Sequence, residues 1–587
     1  MKNIYFIFLT LLLSSCALVP TTKSVNQSTQ TTIIAPREQV EAHGTKWAVS
    51  TQGIHTTRIA ADVLRSGGNL IDAAIAASFA ISVERPHSTG LGGGGFLIYH
   101  EAKTGKDYVY DFRERAPLQA TKRMYLDQKG EVIPDLSVNG ALAVGAPGLV
   151  RGLSKVHQRF GKSPWKKLVT PSQKLALNGF TVYRTLEKAL KEKRGVLNRF
   201  PSSRQIFFHS NGGILKQGDL LIQADLAKTL GIVAHNPEDF YSGRIARKII
   251  ASIQKEKGIL SLADLKTYPV KERKAIRAHW KGYEIVTMPP PSSGGIHVAQ
   301  ILKQIENDSL HFLEPPTLHL MASSMQSAYA DRAEFLGDPD FTKVPVTGLL
   351  NSEYLAKRRG EFNINHARTK KEVLAGNAPS YEDPSNTTHF SFMDADGNVV
   401  VSTQTINGYF GSGLVADGTG IVLNNEMDDF AAKAGAPNIF GALGGDANAV
   451  APKKTPLSSM SPTIVLQGKT PILAVGAPGG TRIITSVVQT ILNHLEFKKD
   501  LYTSVATSRI HQQWSPDVLF IEDSATPGLR EEITPETIVA LEKIGWKIER
   551  APAQCHIMAV SRIQKPDGSF ELVGVADPRD IGTSAGE

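Results

Sequence analysis

The stretch from Asn69 to Val83 constrains the fold of this 587-residue chain more than any other. Ala73, Ala74, Ile75, Ala76, Ala77, Phe79, Ala80 and Ile81 make a helix-length segment apolar nearly all round. A helix that is apolar all round must be covered all round, so the pattern predicts a helix buried between layers of a large core. Pro86 ends it. The preceding helix, Ile54 to Arg65, is closed by Ser66-Gly67-Gly68, because glycine tolerates the left-handed cap conformation. Residues 150 to 365 read as mostly helical, with lysine-rich outer faces and no His, Cys or carboxylate set at metal-ligand spacing.

Two motifs are decoys. Gly90-x-Gly92-x-x-Gly95 matches a dinucleotide fingerprint by letters, with Asp111 downstream. A helix precedes it, however, and Phe96-Leu97-Ile98-Tyr99 after it reads as a strand, the reverse of the order that fingerprint requires. A close-packed backbone turn is the better reading. Gly582-Thr583-Ser584-Ala585-Gly586 matches a serine-hydrolase elbow, but one residue follows it, so the helix an elbow needs is missing.

Asn386-Thr387-Thr388-His389-Phe390-Ser391 joins a Gly/Pro/Ser/Asn-rich segment, 368–385, to an apolar/polar alternation. Thr387 to Met393 and Val399 to Ile406 read as a hairpin around Asp394-Ala395-Asp396-Gly397-Asn398. A three-residue loop with Gly397 in the left-handed region pairs residues summing to 792, and sets Thr405 opposite Thr387. A two-residue turn sums to 793 and sets Thr405 opposite Thr388. By itself this is a strand start with a cross-strand threonine pair.

The wider set of motifs says more. Thr89-Gly90-Leu91-Gly92-Gly93-Gly94-Gly95-Phe96, Asp111-Phe112-Arg113-Glu114, Pro289-Pro290-Pro291-Ser292-Ser293-Gly294-Gly295, Ala328-Tyr329-Ala330-Asp331-Arg332 and the Asn386-Thr387 junction come first. Leu423-Asn424-Asn425-Glu426-Met427-Asp428-Asp429-Phe430, Pro456-Leu457-Ser458-Ser459-Met460-Ser461-Pro462-Thr463, Pro478-Gly479-Gly480-Thr481-Arg482 and Ala576-Asp577-Pro578-Arg579 follow. In this order they resemble the gamma-glutamyltranspeptidases, N-terminal-nucleophile hydrolases whose precursor cuts itself to expose a threonine. The resemblance spans nearly the whole chain after the first forty or so residues.

It implies an α+β, four-layer αββα sandwich built from two chains of one self-cleaved precursor, a large subunit 43–386 and a small catalytic subunit 387–587. Cutting between Asn386 and Thr387 would give Thr387 an α-amino group with a pKa of about 8, a suitable base for its own hydroxyl. The resemblance assigns Thr405 to hydrogen-bond the nucleophile and Gly479 and Gly480 to an oxyanion hole. It assigns Arg113, Ser458 and Ser459 to the substrate α-carboxylate, since a guanidinium offers a planar fork of donors. Asp429, with Asn407 and Glu426, takes the ammonium, and Glu426 stands where some members have Gln. Ala434 to Gly445 corresponds to a lid, and Phe440 falls where several bacterial members have Tyr. Expected donors are glutathione or other γ-glutamyl compounds and expected acceptors are water, amino acids or dipeptides, with no metal or organic cofactor. The rivals are a related acylase or poly-γ-glutamate depolymerase of the same fold, and a binding lipoprotein that never matures.

The N-terminus reads as a secretory signal. A short basic start leads into an apolar run, Ile4 to Leu13, too short to span a bilayer, and Leu13-Ser14-Ser15-Cys16-Ala17 resembles a bacterial lipobox. The expectation is a signal peptide 1–16 with lipidation at Cys16, or else ordinary cleavage at a small-residue site nearby, a flexible tether 17–42, and a periplasmic protein that is attached to the outer membrane through its lipid or is secreted. With Cys16 so used, Cys555 is left without a disulfide partner and reads as a small buried hydrophobe. A net charge of +9 with no dense basic block gives no reason to expect nucleic-acid binding. The last 201 residues carry 15 Lys+Arg against 22 Asp+Glu and the rest 50 against 34, so the two expected chains have opposite net charge.

Overall fold

The computed structural model describes residues 35–376, 389–523 and 531–587. Two seven-stranded, wholly antiparallel sheets form its centre. The first runs Thr583–Gly586, Trp47–Thr51, His389–Asp394, Val399–Thr405, Gly94–Glu101, Lys106–Asp111 and Lys271–Arg273. The second runs Glu41–Gly44, Phe570–Ala576, Met558–Gln564, Thr470–Gly476, Thr463–Gln467, Tyr283–Thr287 and Ile276–Trp280. Each sheet mixes strands from before and after residue 386, so neither part of the chain could bury its sheet faces alone.

Phe96, Ile98 and Val401 of the first sheet meet Val286, Ile464 and Ala474 of the second in an apolar layer. Helices cover both outer faces. Leu70–Glu84 packs outside the first sheet, and Gly294–Gln304, Pro315–Phe335 and Arg482–Ile491 lie in the layer outside the second. This is the expected αββα sandwich.

Every residue of Leu70–Glu84 is buried, as its sequence demands, and Asn69 with Asp72 forms a capping box at its start. At its other end the Glu84 carboxylate accepts hydrogen bonds from the backbone N–H of His55 and Thr56, capping the neighbouring helix Ile54–Arg65. The hairpin adopts the register that sums to 792: His389 faces Thr403, and Gly397 closes the three-residue loop at φ +88°. Thr583–Gly586, the false elbow, is an edge strand on Trp47–Thr51. The largely helical middle also contains a hairpin, Ile276–Trp280 with Tyr283–Thr287, which forms one edge of the second sheet.

The fold begins earlier than a tether ending at 42 would allow. Arg37–Val40 is a helical turn with Val40 fully buried, and Glu41–Gly44 pairs with Leu572–Val575. The contact is made by backbone groups on a sheet edge, which need no apolar pattern in the strand that supplies them. The signal peptide and Cys16 lie outside the described residues.

Candidate active site

The glycine run brings two strands together where the hairpin ends. A Cβ on Gly93 would lie 1.9 Å from the Thr405 carbonyl oxygen, and one on Gly95 would lie 2.4 Å from that of Thr403. Only bare backbone fits, which is why four glycines occur in succession. Thr405 is buried at the end of its strand, and its hydroxyl accepts a hydrogen bond from the Asn407 N–H at 2.7 Å. Asn386 and Thr387 lie outside the described residues.

Just beyond Thr405 the backbone turns sharply, with Asn407 at φ +70°. Asn407 donates from Nδ2 to the Asn425 carbonyl at 3.0 Å, while its buried Oδ1 has no partner among the described residues. Asn424 and Asn425 are the scaffold here. The Asn424 amide bonds Gly92 and Gly145, and the Asn425 amide bonds Val138 and Gly408. They hold the single 3₁₀ turn Glu426–Asp429 in place.

That turn presents two carboxylates to Arg113, whose side chain is fully buried. Arg113 Nη1 lies 2.5 Å from Glu426 Oε1 and Nη2 lies 2.7 Å from Asp429 Oδ2, while Nε donates to the Pro456 carbonyl. Burial opposes the Arg113 charge, but the two carboxylates outweigh it and raise its pKa above the ordinary value. Glu114, also buried, makes the cluster more acidic. Burial, then the neighbouring Glu426, holds the Glu114 carboxyl well above the usual range, and burial pushes Glu426 up to about 7 against the pull of Arg113. Both Glu114 oxygens and Glu426 Oε2 receive no N–H or hydroxyl hydrogen among the described residues.

Ser458 and Ser459 are buried beside this cluster. The Ser458 carbonyl accepts from the Ser293 N–H and hydroxyl, which fastens the segment to the Pro-Pro-Pro-Ser-Ser-Gly-Gly loop. Ser459 Oγ lies 3.4 Å from Arg332 Nη2. Arg332 carries no role in the sequence reading. It is buried, its Nε donates to Ser293 Oγ at 3.1 Å, and no carboxylate among the described residues lies within ion-pair distance. Burial lowers its pKa. Together with Asp429, Asn438 and Asn448 it lines a small cavity beneath the lid. The signal that could have found it is the Tyr-Ala-Asp-Arg tetrapeptide itself, on a helix with no polar face to solvent.

Gly479 and Gly480 lie at φ +136° and +57°, a conformation suited to glycine. Among the described residues neither N–H donates a hydrogen bond. Gly479 packs on Cys555, whose buried thiol is pushed up to about 11 and is an inert packing group. Over Gly480 lies the ring of Phe440, 2.5 Å from where a Cβ would be. Phe440 belongs to a folded-back loop in which Pro437 pairs with Leu443 and Asn438 Nδ2 donates to Asp429 Oδ1 at 2.8 Å. The lid segment is thus tied to the carboxylate cluster and seated on the glycine pair.

Arg113, Asn407, Glu426, Asp429, Ser458 and Ser459 therefore fall on neighbouring loops at one end of the two sheets, with the lid loop bonded to Asp429. The family model for gamma-glutamyltranspeptidase matches residues 56–587. A glutathione hydrolase proenzyme of Escherichia coli K12 is 42% identical over 530 residues, covering 89% of each chain. The crystal structure of Helicobacter pylori gamma-glutamyltranspeptidase is 38% identical at a TM-score of 0.55, over 56% of this chain and 94% of that one. A cephalosporin acylase from Bacillus halodurans superimposes at a TM-score of 0.81 over 94% and 98% of the two chains; at 24% identity it speaks for the fold. The glycine-locked strand pair, the Arg113 cluster and a family match over most of the sequence lead to one conclusion: this chain belongs to the gamma-glutamyltranspeptidase family.

Proposed function

We propose that this member of the family is a self-processing γ-glutamyltransferase and glutathione hydrolase with Thr387 as its nucleophile. The observation that carries the reading is the Arg113–Glu426–Asp429 cluster, a fixed cation flanked by fixed anions at the depth of the site. A free α-amino acid head group is the ligand with matching charges. Its carboxylate goes to Arg113 with Ser458 and Ser459, and its ammonium to Asp429 and Glu426 with Asn407. An acyl group without those charges would leave the cluster unmatched, which disfavours an acylase.

In maturation, the Thr387 hydroxyl oxygen attacks the Asn386 carbonyl carbon. The Asn386–Thr387 C–N bond breaks as the amine takes a proton, and water then opens the ester to leave a carboxyl on Asn386. In turnover the freed α-amine accepts the hydroxyl proton as Oγ attacks the γ-carbonyl of the donor. The oxyanion is received by the Gly479 and Gly480 N–H groups, such donors contributing a few kcal/mol, about 3–4. The leaving amine departs with the proton, and water or an amino-acid amine attacks the γ-glutamyl ester. Thr405 orients the nucleophile. In the cell we place the protein in the periplasm, lipidated at Cys16.

The test is the mass and N-terminal sequence of the purified protein. Two associated chains are expected, the smaller beginning Thr387-Thr388-His389, and Thr387→Ala is expected to remain one chain. A smaller chain with any other first residue would overturn the nucleophile.

A further inference from the structure

Gln513, outside the substrate cluster, connects the lid to the glycine pair. It is buried, and its amide makes the four hydrogen bonds that such a group can make. Oε1 accepts from the Thr481 hydroxyl at 2.7 Å and from His511 Nε2 at 2.8 Å. Nε2 donates to the Phe440 carbonyl at 3.3 Å and to the Ser515 carbonyl at 3.0 Å. The orientation is forced, because a flipped amide would turn its oxygen toward two carbonyls.

Both ends of this bridge matter to chemistry. Thr481 directly follows Gly480, starts the helix Arg482–Ile491, and has its carbonyl held by the Tyr329 hydroxyl. Phe440 is the lid residue whose ring covers Gly480. His511 Nδ1 lies 2.9 Å from the Thr485 hydroxyl, and burial lowers the pKa of the ring, which favours its neutral form.

Resting on the functional reading above, we propose that Gln513 is a positioning residue, a latch that seats the lid on the Gly479-Gly480 loop by holding the Phe440 carbonyl and the Thr481 hydroxyl on one amide. The ring contact and the amide bridge then act together: a seated Phe440 keeps water from the acyl-enzyme, and release at Gln513 frees the lid without touching a substrate-binding group.

The experiment uses the purified full-length protein, processed or not, and amide hydrogen exchange. Ile439, Phe440, Gly441 and Ala442 donate bonds within the lid or to Asp428, and their exchange reports its opening. Gln513→Met removes all four bonds of the amide. Gln513→Glu keeps the two acceptor bonds and loses both donors. Each is expected to speed exchange across 439–442 by roughly two- to tenfold, the scale of one lost hydrogen bond, with the strand Gly94–Glu101 unchanged. Thr481→Val, which removes one bond to Oε1, should do the same to a smaller degree. The transfer-to-hydrolysis ratio should fall in Gln513→Met, and fall much less when Phe440→Gly is already present. Unchanged lid exchange, acceleration spread equally through the sheet, or additivity with Phe440→Gly would each overturn the latch. Because exchange needs no turnover, a wild-type protein that is latched yet does not process would defeat the functional reading and leave the latch standing.

Discussion

The Thr405 carbonyl oxygen occupies the space in which a side chain at Gly93 would begin, 1.9 Å from a Cβ there. The two strands can approach only through glycine, and that approach fixes the residue read as the partner of the nucleophile. Gly93→Ala must push Thr405 away, at a cost of about 1–3 kcal/mol for overpacking. The expected result is a lower melting temperature and slower self-cleavage, followed as the fraction of uncut chain on a denaturing gel over time.

Arg113→Lys keeps a charge but loses the fork that reaches both Glu426 and Asp429. Asp429→Asn removes one of the two anions on that guanidinium and leaves the substrate ammonium short of its counter-charge. Each is expected to weaken binding of a γ-glutamyl donor by about 2–5 kcal/mol, the range for breaking a desolvated charged pair. Steady-state KM and kcat on processed protein decide it. Wild-type constants in both variants would move the head group elsewhere.

The Glu114–Glu426 pair makes stability depend on pH in an unusual direction. Burial raises both carboxyls above the ordinary value of 4.5, so in that window the folded protein holds more protons than the unfolded chain. Their contribution is complete below pH 4.5 and is lost as pH rises through the folded values, at about 1.4 kcal/mol per pH unit for each proton involved. Glu114→Gln supplies a permanent hydrogen to Glu426 and deletes one titration. The melting temperature of the variant should therefore fall less than that of the wild type between pH 5 and 9. Parallel curves would show that the two carboxyls share no proton.

Phe440 holds its ring on Gly480 and offers no hydroxyl, while Asn407 Oδ1 is a buried acceptor without a partner among the described residues. Phe440→Tyr adds a donor that can use it, worth about 0.5–1.5 kcal/mol net. The expected outcome is a several-fold higher transfer-to-hydrolysis ratio with glycylglycine as acceptor at saturating donor. An unchanged ratio would show that the hydroxyl does not reach Asn407.

Much of this was legible in the linear chain, for definite reasons. The largely apolar run 69–83 reads as a covered helix, and Leu70–Glu84 is one. Asp394 to Asn398 reads as a short hairpin with two registers open, and the structure takes the three-residue loop, with Gly397 at φ +88°, that pairs His389 with Thr403. The order of short motifs, from the glycine run to Pro-Gly-Gly-Thr-Arg, identified the family. These are local properties, dictated by period, backbone conformation or residue identity. What only the tertiary structure decided lies in contacts between residues far apart in the chain. No local signal tells that Glu41–Gly44 would complete a sheet with Phe570–Ala576, because an edge strand is held by its backbone. None shows that Arg332 is buried beside Ser459, that burial holds the Glu114 and Glu426 carboxyls above their ordinary range, or that Gln513 ties Thr481 to Phe440. Charge, hydrogen bonding and burial at those positions are set by neighbours up to some three hundred residues away, and those neighbours exist only after the two sheets have closed on each other.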